Sequence, residues 1–163
     1  MSRQTLAAVA LCLLAACGGA TPRELAKQAD DALTAGKPAE AQKLAEQGQA
    51  AMKGAEPDRT TAWNLERVRL EALARQGHNG EVLTGLTTAS VAYPDGVKAD
   101  FYAKLARELA DAGKPVESLE LVEVGKKKFP DKATAFDGLI KELKSKASGD
   151  DALTAKLKQL GYL

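Results

Sequence analysis

The sequence predicts an all-α protein in which short helical hairpins repeat and stack into an α-solenoid. Aromatic residues make up 4% of the chain while alanine and leucine are frequent, a composition that favours close-packed helices over sheets. A Gly-Lys-Pro turn occurs at residues 36–38 and again at 113–115, and Pro-Asp pairs begin at Pro57, Pro94 and Pro130. Because one hairpin cannot bury both of its apolar faces alone, repeated hairpins are expected to stack on one another.

Residues 1–16 have the charge and hydropathy pattern of an export signal. Arg3 is their only charged residue, and residues 6–14 form an uncharged apolar run. Such a run is too short to span a bilayer as a helix, which takes about 20 residues. The sequence therefore predicts that this segment directs export and does not remain as a membrane span.

A cysteine directly follows this segment. Leu14, Ala15 and Ala16 lead up to Cys17, and this order resembles the signal of bacterial lipoproteins, in which a leucine and two small residues precede the lipidated cysteine. The resemblance implies that residues 1–16 are cleaved off as a signal peptide and that Cys17 receives acyl chains. Several acyl chains anchor a protein stably, whereas a single chain does not. A secretory signal with a coincidental cysteine is the alternative.

The same resemblance implies a location for the protein. Gly18 stands where an aspartate would favour retention in the inner membrane, so an outer-membrane anchor that faces the periplasm is expected. Residues 17–21 would form a short linker between this anchor and the folded part. Cys12 would leave with the signal peptide, so the mature fold would have neither a free thiol nor a disulfide and would depend on packing.

The first predicted helix begins at the end of this linker. Thr21, Pro22 and Glu24 match a capping box, with threonine as the cap, proline at the first helical position and glutamate three residues after the cap. Gly36 then marks the turn of the first hairpin. From this glycine to Pro57 the chain is about one helical turn longer than in the later copies, which predicts a longer second helix here.

The clearest hairpin lies in residues 96–131. Its first helix is expected to have one apolar face, because large side chains recur there at three- and four-residue steps. These side chains are Phe101, Tyr102, Leu105 and Leu109. Gly113 ends this helix, since glycine adopts the left-handed conformation without a Cβ clash, and Pro115 begins the second helix.

This pattern resembles the tetratricopeptide repeat, a helix-turn-helix unit of about 34 residues. In the third copy, the aromatic and small positions of that repeat coincide with Tyr102, Ala106, Ser118 and Gly125, and its terminal proline coincides with Pro130. The small positions matter because neighbouring helices touch there.

The resemblance covers residues 22–132, with copies at about 22–58, 59–95 and 96–131. It implies a right-handed superhelix whose first helices line an inner face, the surface on which members of the family bind peptides. A generic array of helical hairpins from another repeat family is the alternative, and it predicts the same all-α solenoid.

Residues 133–163 are expected to form a pair of capping helices. Apolar stripes lie at 136–143 and 153–160, with a break at Gly149. Lysines on the remaining faces would provide the solvated outer surface that a terminal repeat needs. The apolar chain end, residues 160–163, is expected to pack back on the last helices, and docking of another subunit is the alternative.

The residues offer little for catalysis or for a cofactor. His78 is the only histidine, and it lies in a turn between Gly77 and Gly80. The chain has no phosphate-binding glycine loop and no nucleophile elbow, and zinc ligation by carboxylates alone is unusual. Without Arg3 the basic and acidic residues are equal in number, so binding of nucleic acid is not expected. The sequence predicts a protein that is not an enzyme and that has no cofactor or metal.

The surface most suited to binding is the inner face formed by the row of first helices. The alignment with the repeat family places on it the polar residues Asn64, Arg67, Glu71, Arg75, Asp100, Lys104, Arg107 and Asp111. Arg67, Glu71 and Arg75 are four residues apart and therefore lie on one side of a helix. Either they form ion pairs with one another on a solvated face, or they grip an extended peptide or an acidic terminus of another protein.

Together these features predict a lipid-anchored periplasmic adaptor or scaffold that binds another envelope protein through the inner face. A pilotin-like factor that escorts a secretin or a pilus subunit is one alternative, based on analogy alone. A small envelope hydrolase or glycan-binding protein is a second alternative, and it requires catalytic carboxylates that converge in a pocket. The sequence gives no indication of the oligomeric state.

Overall fold

The computed structural model describes residues 19–53 and 58–163. Within these ranges the chain forms eight α-helices, one 3-10 helix and no strand, which confirms the predicted all-α class. The α-helices are α1 (Pro22–Thr34), α2 (Pro38–Ala51), α3 (Arg59–Arg75), α4 (Asn79–Ala92), α5 (Ala99–Asp111), α6 (Pro115–Lys128), α7 (Asp137–Lys146) and α8 (Asp151–Gln159), and the 3-10 helix (Pro130–Phe136) lies between α6 and α7. None of these helices is both long enough and apolar enough to cross a membrane.

The first six helices form three hairpins. α1 packs on α2, α3 on α4 and α5 on α6, and a three-residue turn joins the two helices of each pair. The first helices of successive hairpins also touch, α1 with α3 and α3 with α5. This is the repeated helix-turn-helix arrangement that the sequence predicts. We call α1, α3 and α5 the A helices and α2, α4 and α6 the B helices.

The three hairpin turns have the same construction. Gly36, Gly77 and Gly113 adopt φ values of 73°, 76° and 76°, the left-handed conformation that glycine reaches without strain. In the first turn the Lys37 N–H bonds to the Ala32 carbonyl at 3.0 Å, and the equivalent bonds of the other two turns measure 3.0 and 2.9 Å. These bonds define Schellman motifs, which satisfy carbonyl groups at the helix end. The predicted role of the turn glycines is confirmed.

The start of α1 has the predicted capping box. The Thr21 hydroxyl accepts a hydrogen bond from the Glu24 N–H at 3.3 Å, and the Glu24 carboxylate accepts one from the Thr21 N–H at 2.8 Å. The bonds to Thr21 lower the pKa of Glu24. Because two N–H groups at the helix start gain partners, α1 begins at a defined residue, Pro22.

The prediction of a longer second helix in the first hairpin was wrong. α2 is 14 residues long, as are α4 and α6. It ends at Ala51, where the Met52 N–H bonds to the carbonyls of Gly48 and Gln49 at 3.2 and 3.3 Å. The connection from α2 to α3 has seven residues and that from α4 to α5 has six, so it does not hold the additional turn either. The additional turn belongs to α3, which has 17 residues, whereas α1 and α5 each have 13.

Two clusters of buried side chains meet at α3. Leu65, Val68 and Ala72 of this helix belong to an alanine-rich cluster with α1 and α2. Leu70 and Leu73 of the same helix belong to a larger cluster that extends through α4, α5 and α6 to α8. α3 is thus buried on two sides, and both cores depend on its position.

Glycines allow close contact between helices at Gly125, a predicted small position, and also at Gly48. A Cβ atom at Gly125 would lie 2.5 Å from the Phe136 ring and 3.1 Å from the Tyr102 Cβ. A Cβ atom at Gly48 would lie 2.5 Å from a Leu65 methyl group. Larger residues at these two positions would force the packed helices apart, which confirms that neighbouring helices touch there.

The chain end packs on the last hairpin, as predicted. The Tyr162 hydroxyl donates to the Glu123 carboxylate at 2.5 Å and accepts from Lys126 Nζ at 2.7 Å. The Lys126 ammonium also lies 4.8 Å from the centre of the Tyr162 ring. Burial, together with Glu123, raises the pKa of the Tyr162 hydroxyl. Since Glu123 and Lys126 belong to α6, Tyr162 joins the segment after α8 to the third hairpin.

Candidate functional site

Six of the eight polar residues that the sequence places on the inner face make up the predicted binding site, and they lie on two A helices. They are Asn64, Arg67, Glu71 and Arg75 of α3 and Lys104 and Arg107 of α5. We call the surface formed by these residues and their ion-pair partners the A-helix face. Five of them belong to three separate groups of ion pairs. The sixth, Asn64, lines a cleft.

Glu71 is at the centre of the first group. Its Oε1 accepts from Arg67 Nη1 at 3.1 Å and pairs with Lys104 Nζ at 2.8 Å, although its side chain is only 2% exposed. Arg67 Nη2 also pairs with Asp30 of α1 at 2.7 Å. Burial opposes the charge of Arg67, but the bonds to Asp30 and Glu71 outweigh it and raise the Arg67 pKa. This group therefore connects α1, α3 and α5.

Arg75 forms a second connection between the same helices. Its Nε and Nη2 each lie 3.0 Å from a Glu108 carboxylate oxygen, a two-bond geometry that fixes direction as well as distance. Its Nη1 donates to the Leu33 carbonyl of α1 at 2.7 Å. Arg75 therefore bridges the end of α1 to α5.

Arg107 forms a third connection, from α5 to α7. Its Nη1 lies 2.6 Å from Glu142 Oε2, and Lys146 Nζ lies 2.7 Å from Glu142 Oε1. The hydrogen bond from Lys146 lowers the pKa of Glu142 most, and the bond from Arg107 lowers it further. Because folding lowers this pKa, the contribution of Glu142 to stability is present at neutral pH and is lost as the pH falls through the folded-state value.

These contacts correct the interpretation in which Arg67, Glu71 and Arg75 pair only with one another along α3. Arg67 and Glu71 do pair four residues apart, but Arg75 pairs with Glu108 of the next A helix and not with Glu71. The charged residues therefore cross-link helices in addition to pairing along one of them. Arg67 and Lys104 remain 27% and 48% exposed, so solvent and solutes can still reach them.

A polar cleft of about 490 Å³ opens between α1 and α3. We call it the A-helix cleft, and it is lined by Arg23, Ala26, Lys27, Asp30, Asp58, Thr60, Thr61, Asn64 and Arg67. Asp30 is paired with Arg67, and Asp58 accepts bonds from the Thr60 N–H and the Thr61 hydroxyl. Within the described ranges, Lys27 has no carboxylate at ion-pair distance. The cleft therefore presents an unbalanced positive charge.

The sequence analysis missed a second concavity, a groove of about 620 Å³ between α2 and α4. We call it the B-helix groove, and it is lined by Glu46, Gln49, Glu66, Arg69, Gly80, Glu81, Thr84, Gly85, Thr88, Ala89, Ala92 and Tyr93. At its base Glu66 accepts two bonds from Arg69, at 2.7 and 3.0 Å, and one from Gln49 at 2.7 Å. The bond to Glu66 raises the pKa of Arg69, and the charges of Glu46 and Glu81 contribute to the same shift.

The groove ends at an aromatic cluster. Tyr93 follows α4, and its ring centre lies 5.5 Å from that of Trp63, which in turn lies 5.4 Å from Phe101. Gly96 allows this arrangement, because a Cβ atom there would lie 2.5 Å from the Trp63 ring. Tyr93 also lines two smaller clefts of about 280 and 250 Å³, next to Met52 and Trp63.

One sequence signal could have predicted the B-helix groove. Residues 82–92 contain no charged residue, yet α4 leaves one side exposed to solvent, with Val91 84% exposed. Exposed helix surfaces normally carry charged residues, whereas the cores of interfaces are depleted of them. The repeat resemblance places binding on the A helices and gives no role to this uncharged run.

Of the two other residues that the sequence singles out, the structure describes His78 but not Cys17. His78 lies in the turn before α4, with its Nδ1 3.1 Å from a Glu81 carboxylate oxygen. In the part of the chain that the structure describes, no three His, Cys, Asp or Glu side chains come together as metal ligands would. Cys17 lies outside the described residues, so its lipidation stays a prediction.

The fold and these surfaces define an all-α protein of stacked helical hairpins, with an ion-paired A-helix face and a groove between B helices. In comparisons with known proteins, no family model, no curated protein and no solved structure matches the chain. The function is therefore inferred from the geometry.

We expect Glu71→Gln to lower the free energy of unfolding by about 1–3 kcal/mol, because Arg67 and Lys104 lose a buried charged acceptor. Urea unfolding followed by circular dichroism measures this change. Glu40→Gln is the matched control, since Glu40 pairs with Lys37 at 3.2 Å on the surface and exposed pairs contribute little. Equal stability of the two variants would contradict the role assigned to Glu71.

Proposed function

We propose that the protein is a lipid-anchored, non-catalytic adaptor of the bacterial envelope that holds an acidic or extended segment of another envelope protein. The A-helix cleft is the observation that supports this proposal most directly. It combines a volume of about 490 Å³ with exposed cations from α1 and an amide from α3. Binding through the A helices is also what the likeness to tetratricopeptide repeats implies.

The chemistry of the cleft suits a carboxylate ligand. The Arg23 guanidinium can donate two parallel hydrogen bonds to a carboxylate, and the Lys27 ammonium adds a mobile positive charge. The Asn64 amide can both donate to and accept from the backbone of an extended chain. Arg67 is already held between Asp30 and Glu71, so this wall of the cleft is preorganised and less entropy is lost on binding.

An anchor on Cys17 would place this cleft close to a membrane. Four residue steps separate Cys17 from Thr21, and an extended chain of that length spans at most roughly 14 Å. Arg23 and Lys27 lie in the first two turns of α1. A lipid-anchored chain would therefore present its cleft near the lipid surface, where a segment of a neighbouring envelope protein can reach it, and the outer membrane is the proposed location.

The two buried carboxylates of α3, Glu66 and Glu71, favour an adaptor over a hydrolase. Glu66 is paired with Arg69, Glu71 with Arg67 and Lys104. A general acid or base must be free to exchange a proton with its substrate, and these groups are occupied as hydrogen-bond acceptors. A binding role requires only that the exposed cations of the cleft remain available.

Lys27→Glu combined with Asn64→Ala tests the cleft. We expect the double variant to lose the cross-linked partner when the protein is captured from intact cells, because a negative charge repels an acidic segment and the amide contact is gone. Mass spectrometry of the captured complexes provides the measurement. Neither side chain takes part in the ion pairs of the described residues, so helicity and Tm should stay unchanged.

Lys43→Glu is the control for this experiment, since Lys43 is exposed on α2, away from the cleft. It changes the net charge by the same amount as Lys27→Glu does. A partner that is retained by the double variant, or lost equally with the control, would move the binding site away from the A-helix cleft.

Cys17→Ala tests the anchor separately. We expect this variant to move from the membrane fraction to the soluble fraction and to carry no fatty acid, because the acylated side chain is absent. Fractionation of cells and mass spectrometry of the purified chain measure both effects. Wild-type protein with an unmodified Cys17 would refute lipidation and leave the test of the cleft unaffected.

A further inference from the structure

Beyond Glu81, the exposed side of α4 has uncharged side chains whose polar groups are already hydrogen-bonded, so it suits contact with an apolar surface. The hydroxyl groups of its threonines and its serine donate to carbonyl groups four residues earlier in the same helix, at 2.6–3.3 Å. Because these donors are already satisfied, the side chains have few free polar hydrogens to offer to a partner. Covering this side with a partner therefore costs little desolvation, and the small side chains permit a close approach.

The groove beside this surface has a net negative charge at one end. Glu66 and Arg69 neutralise each other at its base. Among the described residues, Glu46 has no cation at ion-pair distance and bonds only to the Gln42 amide at 2.8 Å, and the neighbour of Glu81 is His78. The carboxylates of Glu46 and Glu81 therefore remain available to positive charges from outside the chain.

The opposite end of the groove is aromatic. Glu81 lies in the first turn of α4 and Tyr93 at its C-terminal cap, so the two ends are separated by about 18 Å at 1.5 Å per residue. At the far end the Tyr93 and Trp63 rings form the wall of an apolar cleft. An extended chain of about six residues, or a helix of about twelve, covers this distance.

We propose that the B-helix groove binds a segment of a partner protein that has basic side chains at one end and apolar side chains at the other. The basic end pairs with Glu46 and Glu81, and the apolar end packs on Tyr93 and Trp63. This asymmetry fixes the direction in which the segment lies. The proposed site is separate from the A-helix cleft, which suits acidic ligands, so an adaptor with both sites can hold two different partners.

A labelled peptide of about twelve residues, with lysines at one end and leucine and phenylalanine at the other, serves as the probe. Fluorescence anisotropy with the purified full chain measures its dissociation constant. We expect binding to weaken at least about tenfold in Glu46→Lys combined with Glu81→Lys, and also in Thr88→Arg, whose side chain fills the groove. An unlabelled acidic peptide of the same length should not displace the labelled peptide from the groove.

The chain provides a matched control for each variant. Glu40→Lys with Glu117→Lys makes the same charge change in the first turns of α2 and α6. Thr87→Arg changes the neighbouring residue, which is also exposed and does not line the groove. Both controls should bind the peptide as the unmodified chain does, and amide shifts on binding should cluster at Gly80, Gly85 and Tyr93.

Three results would overturn the proposal. The first is a wild-type chain that fails to bind the basic peptide, and the second is a loss of affinity that is equal in variants and controls. The third is a sedimentation experiment in which Thr88→Arg, but not Thr87→Arg, converts an oligomer to a monomer, because the groove would then be occupied by a second copy of this chain. None of these results depends on Cys17 or on the A-helix cleft.

Discussion

The burial of α3 on two opposite sides is the constraint on which the rest of the structure depends. Leu65, Val68 and Ala72 close the alanine-rich core of the first hairpin, while Leu70 and Leu73 belong to the core of the later helices. A helix hairpin with one apolar face per helix cannot exclude water alone, so each hairpin needs the next one. α3 meets this need for both neighbours, and any shift of this helix would open two cores together.

α3 also positions the charged side chains of both polar surfaces, the A-helix face and the B-helix groove. Glu71 is buried towards the A-helix face, where it holds Arg67 and Lys104, and Glu66 is buried at the base of the B-helix groove, where it holds Arg69. A buried carboxylate is tolerated only when it is paired and hydrogen-bonded. The two surfaces are consequently fixed relative to one scaffold, which is the property that an adaptor with more than one binding surface requires.

The sequence predicted the features that local chemistry determines. The capping box at Thr21, the left-handed Gly36, Gly77 and Gly113, and the close contact at Gly125 follow from steric and hydrogen-bonding rules that act over a few residues. The pairing of Arg75 with Glu108 could not be predicted, because it depends on how far each helix is displaced along its neighbour. The uncharged run at residues 82–92 signals an unusual surface on α4 but not which residues of α2 and α3 complete the groove. The predicted length of α2 was wrong because a residue count between two turn signals does not say which helix contains the additional residues, and here it is α3, with 17 residues.

Native-state hydrogen exchange of the α3 amides is the most direct test of this account. If α3 is common to both cores, its slowest amides should exchange only by global unfolding, with the same free energy as the slowest amides of α5. They should also be protected at least as well as those of α1 and α2. Amides of α3 that exchange through a separate, lower-energy opening, while α5 and α6 stay protected, would contradict the central role of this helix.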